Sequence, residues 1–272
     1  FFGPYLYRSE FGSTTAEEES ARALAHLRHV IELEGPPTIA AILLESVVGA
    51  AGVLVPPPGY LRGVRALCGE FGIVYIADEV MSGFGRTGLM FGFEHDLDAS
   101  NPPDLITVAK GINSGYVPIG GAIISNPIAD FFDDKFYPGG LTYSGHPLAC
   151  GSISANLEII RDEGLVDNAA AIGSDVLGPG LHQLAASSEI VGDVRGIGLF
   201  WAIELVRDKA TKEPLAPYGA SSPEMAQITR ALTAAGLLTL PIGNRIHLSP
   251  PLPVTPTQTA QALHTLTMVL AP

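Results

Sequence analysis

The chain has 272 residues, of which 47% are apolar and 16% are charged, and its mean hydropathy is +0.30. This length and composition exclude a disordered protein and predict one large domain with a smaller one. The formal net charge of −13 argues against nucleic acid and anionic membrane surfaces as partners.

The two cysteines, Cys68 and Cys150, have neither metal-binding spacing nor a disulfide framework, which predicts a reducing, cytoplasmic location. No apolar run reaches the roughly 18 residues that a membrane span requires, and no signal peptide is evident. The chain opens on Phe1 rather than Met, so we expect it to be a piece of a longer protein.

Helix and strand signals alternate along the first 160 residues. Thr14 or Thr15, followed by the glutamates at 17–19, forms a capping box and predicts a helix that continues to Glu34. Gly72 is the predicted end of a second helix, which begins after the prolines at 56–58. Short apolar runs bounded by glycine and proline are typical of buried parallel strands. Such runs lie at 39–44, 73–77, 105–109 and 121–125, and a long helix is predicted at 148–161.

The second part of the chain predicts a smaller α+β unit. Its predicted elements are a strand at 198–205, a helix at 223–235, strands near 237–240 and 245–248, and a final helix from Thr255. The fold class expected for the whole chain is therefore α/β with a mostly parallel sheet. The predicted domains are residues 1–160 and residues 161–272.

Three charged residues follow the apolar runs of predicted neighbouring strands. Glu45, Asp78 and Lys110 each stand where a strand ends. Because ligands of open α/β sheets bind beyond the carboxyl ends of the strands, we expect these side chains to face one crevice. A lysine that forms a Schiff base and a carboxylate beside the pyridinium nitrogen are the two groups that a pyridoxal 5'-phosphate (PLP) enzyme must supply. A partly desolvated crevice would also depress the lysine pKa, as a Schiff-base amine requires.

Simpler interpretations exist for each of these residues. A lysine at a strand end is usually solvated, and Asp78 alone could cap a helix or form a structural ion pair. Glu45 could equally accept backbone N–H groups. Thr142 lies in a loop before a predicted helix, where it could donate to a phosphate or merely cap the helix. His26 and the histidine three residues later lack a third ligand, so no metal site is predicted.

The segment from Gly83 to Gly88 matches the G-x-G-x-x-G pattern, with Asp104 about twenty residues beyond its start. That pattern would suggest a dinucleotide-binding fold. However, several residues separate it from the preceding strand, and the residues after it lack helical periodicity. An irregular glycine-rich loop is the favoured interpretation, with a nicotinamide cofactor as the alternative.

Three stretches, 77–88, 103–111 and 142–150, resemble the class III aminotransferases, and the resemblance continues to 249–252. These are PLP enzymes of the aspartate aminotransferase fold, fold type I. The resemblance implies that Lys110 carries the Schiff base and moves the proton between substrate and cofactor. It implies that Asp78 pairs with the ring nitrogen and that Val80 packs on one ring face. It also implies a homodimer in which Thr142 reaches the cofactor phosphate of the neighbouring subunit. Glu45 is a candidate cofactor-binding residue through its position at the strand end.

Departures from the family pattern concern the substrate. Ala50 stands where the ornithine and 4-aminobutyrate enzymes carry a gate glutamate, and Met81 replaces a glutamine directed at the cofactor. Both changes resemble the branch that passes ω-amino groups to pyruvate. Leu240 occupies the position of the arginine that clamps a substrate carboxylate, and Arg245 is the nearest guanidinium.

The chain resembles the C-terminal part of such an enzyme. The segment of the family that supplies a phosphate-binding turn and a second aromatic ring contact precedes the region matched by Phe1. The expected function of the full protein is transfer of an amino group from an ω-amino acid or amine to a 2-oxo acid, with pyruvate preferred. Aminomutase or decarboxylase activity, or a catalytically inactive fragment, is the alternative. On its own, the chain is expected to bind PLP poorly.

Overall fold

The computed structural model describes residues 1–271. The chain forms two units. The first contains residues 1–47, 56–84 and 90–163, and the second contains residues 48–55, 85–89 and 164–272. The sequence predicted a single division after residue 160, which would place the segments 48–55 and 85–89 in the first unit. The structure places both segments in the second unit.

The first unit is built on a four-stranded sheet with the order β1-β2-β3-β4. The pairings of β1 with β2 and of β2 with β3 are parallel, whereas β4 runs antiparallel to β3. The elements are α1 (Ala16–Glu34), β1 (Ala41–Glu45), α2 (Tyr60–Phe71), β2 (Val74–Asp78), β3 (Leu105–Val108), β4 (Gly121–Ile124), α3 (Asn126–Phe131) and α4 (Pro147–Asp162).

Local signals define the ends of the first two helices. The Thr15 side chain accepts a hydrogen bond from the backbone N–H of Glu18, as expected of an N-cap, and Gly35 ends α1 with a φ of 86°. Gly72 ends α2 in the left-handed region, as predicted. Apolar faces of both helices pack with the sheet in one core, which includes Leu27, Ile31, Leu61, Val64, Cys68, Tyr75 and Ala77.

The second unit is an antiparallel sheet with the order β5-β6-β9-β8, and β7 pairs with the far end of β6. A single π-helical turn, Gly173–Leu177, joins α5 to α6. The elements are α5 (Leu165–Ile172), α6 (Gly178–Ser187), β5 (Val191–Ile197), β6 (Phe200–Asp208), β7 (Glu213–Pro214), α7 (Pro223–Ala234), β8 (Leu240–Ile242), β9 (Arg245–Leu248) and α8 (Pro256–Leu270).

Arginine side chains explain why the segment 48–55 belongs to the second unit. Arg195 on β5 donates to the backbone oxygen of Gly52 at 2.7 Å and forms ion pairs with Asp193 and Glu204. A Cβ atom at Gly52, whose φ is 124°, would lie 2.6 Å from the Arg195 guanidinium. Only glycine therefore allows this close approach.

The predicted helices and strands occur, with shifts of a few residues at their ends. The structure also contains α5, α6 and β5, none of which the sequence patterns indicated. The strand expected near 237–240 begins only at Leu240, because the chain leaves α7 in a turn at Gly236, whose φ is 84°. Within residues 1–271, none of the helices combines the length and apolar character needed to span a membrane.

His247 on β9 makes the stability of the second unit depend on pH. Its side chain is 4% exposed, and Nε2 has no hydrogen-bond partner among residues 1–271. Burial, and secondarily the charges of Arg245 and Arg195, lowers the pKa of His247 to about 4.

The sign of this effect follows from proton linkage. An unfolded histidine titrates near 6.5, so between pH 6.5 and 4 the unfolded chain binds more protons than the folded one. We expect the contribution to stability to be complete above pH 6.5 and to fall by about 1–3 kcal/mol as the pH drops to 4. Urea unfolding at pH 7.5 and pH 5 measures it. His247→Leu should reduce the difference, whereas His264→Leu, on the exposed face of α8, should not.

Candidate active site

The strand ends of the first unit bring two of the predicted residues side by side. Glu45 and Asp78 are Cα partners in the parallel pairing of β1 with β2, and Asp78 is the partner of Thr107 on β3. Lys110 follows three residues after Thr107, beyond the end of β3. The structure therefore places Glu45, Asp78 and Lys110 at the carboxyl edge of one parallel sheet, where ligands of such sheets bind.

Asp78 is half-buried, and a hydrogen bond from a residue nearby in the chain orients its carboxylate. Its Oδ1 atom accepts a hydrogen bond from the backbone N–H of Val80 at 2.9 Å. Within residues 1–271 no other hydrogen bond to this carboxylate forms, so the second oxygen can accept a proton donor from a ligand. A protonated pyridine nitrogen is a donor of the required kind, and this arrangement fits the PLP ring.

Lys110 begins a short 3-10 helix, Lys110–Ile112, in a conformation that is uncommon for a residue with a side chain. Its φ is +43°, in the left-handed region that favours glycine. Strained backbone of this kind clusters at functional sites, where the surrounding structure must hold it. The side chain is exposed, so the expectation of a partly desolvated lysine is wrong for this chain: the described residues leave the amine open to solvent.

Two asparagines hold the turn that follows Lys110, and the sequence patterns did not reveal either of them. Asn156 on α4 donates through Nδ2 to the backbone oxygens of Gly111 and Ile112, at 3.0 and 3.1 Å. Asn113 is buried and donates to the backbone oxygen of Val117 at 2.6 Å. The position of Lys110 thus depends on a helix that begins 37 residues later in the chain.

The other predicted site residues are distributed differently. Val80 is half-buried, next to the Asp78 contact. Thr142 is exposed in the segment before α4 and makes no hydrogen bond with the described residues. Arg245 belongs to the second unit, where it lines a cavity of about 590 Å³ together with Ala50 and Ile242. Its guanidinium donates to the backbone oxygens of Ala51 and Ile242.

The glycine-rich segment 83–88 is an irregular turn, as the sequence indicated. Phe84, Gly85 and Gly88 all have positive φ values, and only a short 3-10 helix, Gly92–His95, lies between the segment and β3, so the α-helix that a dinucleotide-binding turn requires is missing. Arg86 donates to the backbone oxygens of Leu199 and Pro250, at 3.1 and 2.6 Å. Burial lowers the pKa of Arg86 to about 10, and its two carbonyl partners make it a structural residue of the second unit.

No set of three or more histidine, cysteine, aspartate or glutamate side chains in residues 1–271 is placed to hold a metal ion. A third residue that the sequence patterns missed is Glu79, which is fully buried directly after Asp78. The sequence does not show which groups surround a buried glutamate, so its role becomes evident only from the residues that contact it in the folded structure.

The aminotransferase class-III family profile matches residues 4–270 of the chain. The chain belongs to the class III aminotransferases. Its fold is the PLP-dependent transferase fold type I, as the sequence predicted.

Curated relatives of this class III chain differ in their substrates. The putrescine–pyruvate aminotransferase of Pseudomonas aeruginosa is 35% identical over 257 residues, which cover 94% of this chain and 54% of the relative. The taurine–pyruvate aminotransferase of Bilophila wadsworthia is 38% identical over 217 residues, covering 78% of this chain and 46% of the relative. The chain therefore spans about half the length of the curated relatives it matches.

Solved structures agree with this assignment. The taurine:2-oxoglutarate aminotransferase from Bifidobacterium kashiwanohense, in complex with PLP and glutamate, is 39% identical with a TM-score of 0.92; the match covers 99% of this chain and 60% of that one. A PLP-bound amine transaminase from an uncultivated Pseudomonas species gives the same identity, TM-score and coverage.

Proposed function

We propose that the protein to which this chain belongs is a PLP-dependent transaminase. It moves an amino group from an ω-amino acid or an amine to a 2-oxo acid, and it prefers pyruvate. The observation that carries the proposal is the register at the sheet edge: Asp78 lies beside Glu45, and Lys110 follows the next strand. Membership of class III and the PLP-bound structural neighbours support it.

Each residue at the sheet edge has a proposed role. The cofactor, when bound, supplies an electron sink for the carbon that loses a proton. Asp78 accepts from the ring N–H and, as a carboxylate, keeps that nitrogen protonated. The Lys110 amine would hold the cofactor covalently and would carry the proton that the substrate carbon loses. Val80 packs on a ring face, and Glu45 orients the ligand from the neighbouring strand.

A homodimer is part of the proposal, with Thr142 donating to the cofactor phosphate in the partner's site. The exposure of the segment around Thr142 supports it. Leu141, Tyr143 and Leu148 are between 66% and 81% exposed, and such a run of apolar side chains is typical of a surface that another chain covers. A cytoplasmic location is also proposed, since Cys68 and Cys150 are both free thiols.

Product analysis of the full-length protein tests the reaction type. With PLP, an ω-amino donor such as β-alanine and pyruvate, alanine should form in step with donor consumption. Carbon dioxide release without a need for pyruvate would indicate a decarboxylase. An isomeric amino product formed without any acceptor would indicate an aminomutase. Absence of any amino product over a panel of donors would contradict the proposal.

The preferred acceptor is expected to be pyruvate rather than 2-oxoglutarate. Ala50 and Leu240 are both apolar and solvent-exposed in the second unit, at the positions of the family's gate glutamate and carboxylate-binding arginine. A second substrate carboxylate would therefore lack a cationic partner, and an unpaired charge is costly to bury. We expect kcat/KM to favour pyruvate by at least about tenfold, which corresponds to about 1.4 kcal/mol.

The ratio of kcat/KM for the two acceptors measures this preference. Leu240→Arg, which restores the clamp, should shift the ratio toward 2-oxoglutarate, and Leu238→Arg, two residues earlier and 88% exposed, serves as the matched control. A wild-type preference for 2-oxoglutarate would refute the expectation. Arg245→Ala would then show whether Arg245, the proposed substrate-binding residue, supplies the missing positive charge.

A further inference from the structure

A buried carboxylate lies directly behind the sheet edge. The side chain of Glu79 is 0% exposed, and both of its oxygens accept two hydrogen bonds each. Oε1 accepts from the Ser46 hydroxyl at 2.5 Å and from the backbone N–H of Phe93 at 2.9 Å, and Oε2 accepts from the Ser82 hydroxyl at 2.7 Å and from the backbone N–H of Gly92 at 2.8 Å. This set of four donors is what a buried carboxylate requires.

The donors match the charged form of Glu79. Burial raises the pKa of this carboxyl, and the hydrogen bonds from the two hydroxyls and the two backbone N–H groups oppose that shift. The backbone donors at Gly92 and Phe93 cannot become acceptors, so a side-chain amide at position 79 cannot satisfy both of them. In Glu79→Gln, the NH₂ group would face a backbone N–H of Gly92 or Phe93, and two donors cannot form a hydrogen bond with each other.

Glycines provide the space around this carboxylate. A Cβ atom at Gly92 would lie 2.9 Å from the Cβ atom of Ser82 and 3.1 Å from that of Ser46. A Cβ atom at Gly83 would lie 2.8 Å from the backbone oxygen of Glu79. The serines and the chain therefore approach Glu79 as closely as they do only because positions 83 and 92 lack side chains.

Glu79 ties the end of β2 to both neighbouring strands. Its carboxylate binds Ser46, the residue after Glu45 at the end of β1. Its backbone N–H donates to the oxygen of Thr107 on β3 at 2.9 Å, and Thr107 is the register partner of Asp78. The Glu79 side chain thus ties the end of β2 to the residue after Glu45 on β1, while the link to β3 is a backbone hydrogen bond.

We propose that Glu79 is a positioning residue of the transaminase: by fixing the end of β2 against β1 and against the backbone at Gly92 and Phe93, it directs the Asp78 carboxylate at the cofactor's ring nitrogen. The inference rests on the proposed function. Within residues 1–271 the Asp78 carboxylate accepts a single hydrogen bond, from the Val80 N–H, so the backbone on either side of Asp78 must supply its orientation. Small displacements of a catalytic group have large effects on rate.

The first test compares Glu79→Gln with Glu94→Gln in the full-length protein. Glu94 is an exposed carboxylate in the same region, which accepts from the Phe91 N–H, so its variant removes the same charge outside the network. Glu79→Gln should lower kcat at least tenfold, with KM for donor and acceptor within about twofold, and should weaken PLP binding. Glu94→Gln should leave kcat, both KM values and PLP binding unchanged. If Glu79→Gln does not fold, Ser82→Ala, which removes one donor and keeps the charge, should show the same pattern to a smaller degree.

A double-mutant cycle with Asp78→Asn separates positioning from a general loss of structure. If Glu79 acts through Asp78, Glu79→Gln should lower kcat in the Asp78→Asn background by less than threefold. Equal effects of Glu79→Gln in both backgrounds would overturn the proposal, as would unchanged kcat in the single variant.

Amide hydrogen exchange of the cofactor-free protein provides a readout that does not depend on activity. Glu79→Gln should accelerate exchange in peptides covering 78–84 and 90–94, with no change in peptides from α8. Unchanged exchange in 78–84 would show that Glu79 does not hold the end of β2 and would overturn the inference even if the wild type is an active transaminase. If instead the wild type transfers no amino group while exchange responds as expected, the proposed function fails and the structural role of Glu79 remains.

Discussion

Replacing Lys110 with alanine is expected to lower the transamination rate of the full-length protein by about 10³-fold or more. A positioned proton-transfer group contributes about 10²–10⁴-fold to rate, and the variant also loses the covalent attachment of the cofactor. Lys110 is placed by a backbone with a φ of +43° and by the Asn156 hydrogen bonds to the two residues after it. Added methylamine should restore part of the rate, because a free amine can replace the missing proton carrier.

Lys135→Ala is the matched control for this prediction. Lys135 lies in the same unit and is exposed like Lys110, but its ammonium lies 3.5 Å from the centre of the Phe131 ring, and its removal should leave the rate within about twofold. Borohydride reduction of the PLP-loaded wild type should attach a phosphopyridoxyl group to the peptide that contains Lys110. A label on Lys135 or Lys209, or an active Lys110→Ala variant, would disprove the assignment.

Asp78→Asn is expected to lower kcat by about ten- to a hundredfold. A hydrogen bond to a charged group contributes about 1.5–3 kcal/mol, and each 1.36 kcal/mol corresponds to a factor of ten in rate. The amide keeps the size of the side chain, and its oxygen can still accept from the Val80 N–H as Oδ1 of Asp78 does. What it lacks is the negative charge that keeps the ring nitrogen protonated, so the loss should fall on the proton-transfer step.

Two measurements locate the effect of Asp78→Asn. The primary isotope effect with a donor deuterated at the reacting carbon should increase, because proton transfer becomes more strongly rate-limiting. The dissociation constant for PLP should change by a smaller factor than kcat does. Asp98→Asn is the control: it removes an exposed carboxylate that accepts a hydrogen bond from the Ser100 N–H. It should change neither the isotope effect nor the dissociation constant for PLP. Equal turnover of Asp78→Asn and the wild type would show that another group holds the ring nitrogen.

Much of the first unit could be predicted because its signals are local. Thr15 caps α1 and Gly72 ends α2 through contacts within a few residues, and such contacts depend on residue type and spacing. The apolar runs ahead of Asp78 and Lys110 likewise identify strands by composition. The antiparallel direction of β4 could not be read in this way, since an apolar run has no direction.

The sequence by itself indicated the residues that we propose carry the chemistry: a carboxylate and a lysine that follow two apolar strands, in the context of class III motifs. Only the tertiary structure showed which residues hold Asp78 and Lys110 in position. Asn156 binds the turn after Lys110 from 44 and 45 residues away, and Glu79 binds Ser46 from 33 residues away. The assignment of 85–89 to the second unit also rests on distant contacts, since Arg86 binds Pro250 from 164 residues away. Contacts at such separations leave no periodic pattern in the chain, because they form only after both segments have folded and packed.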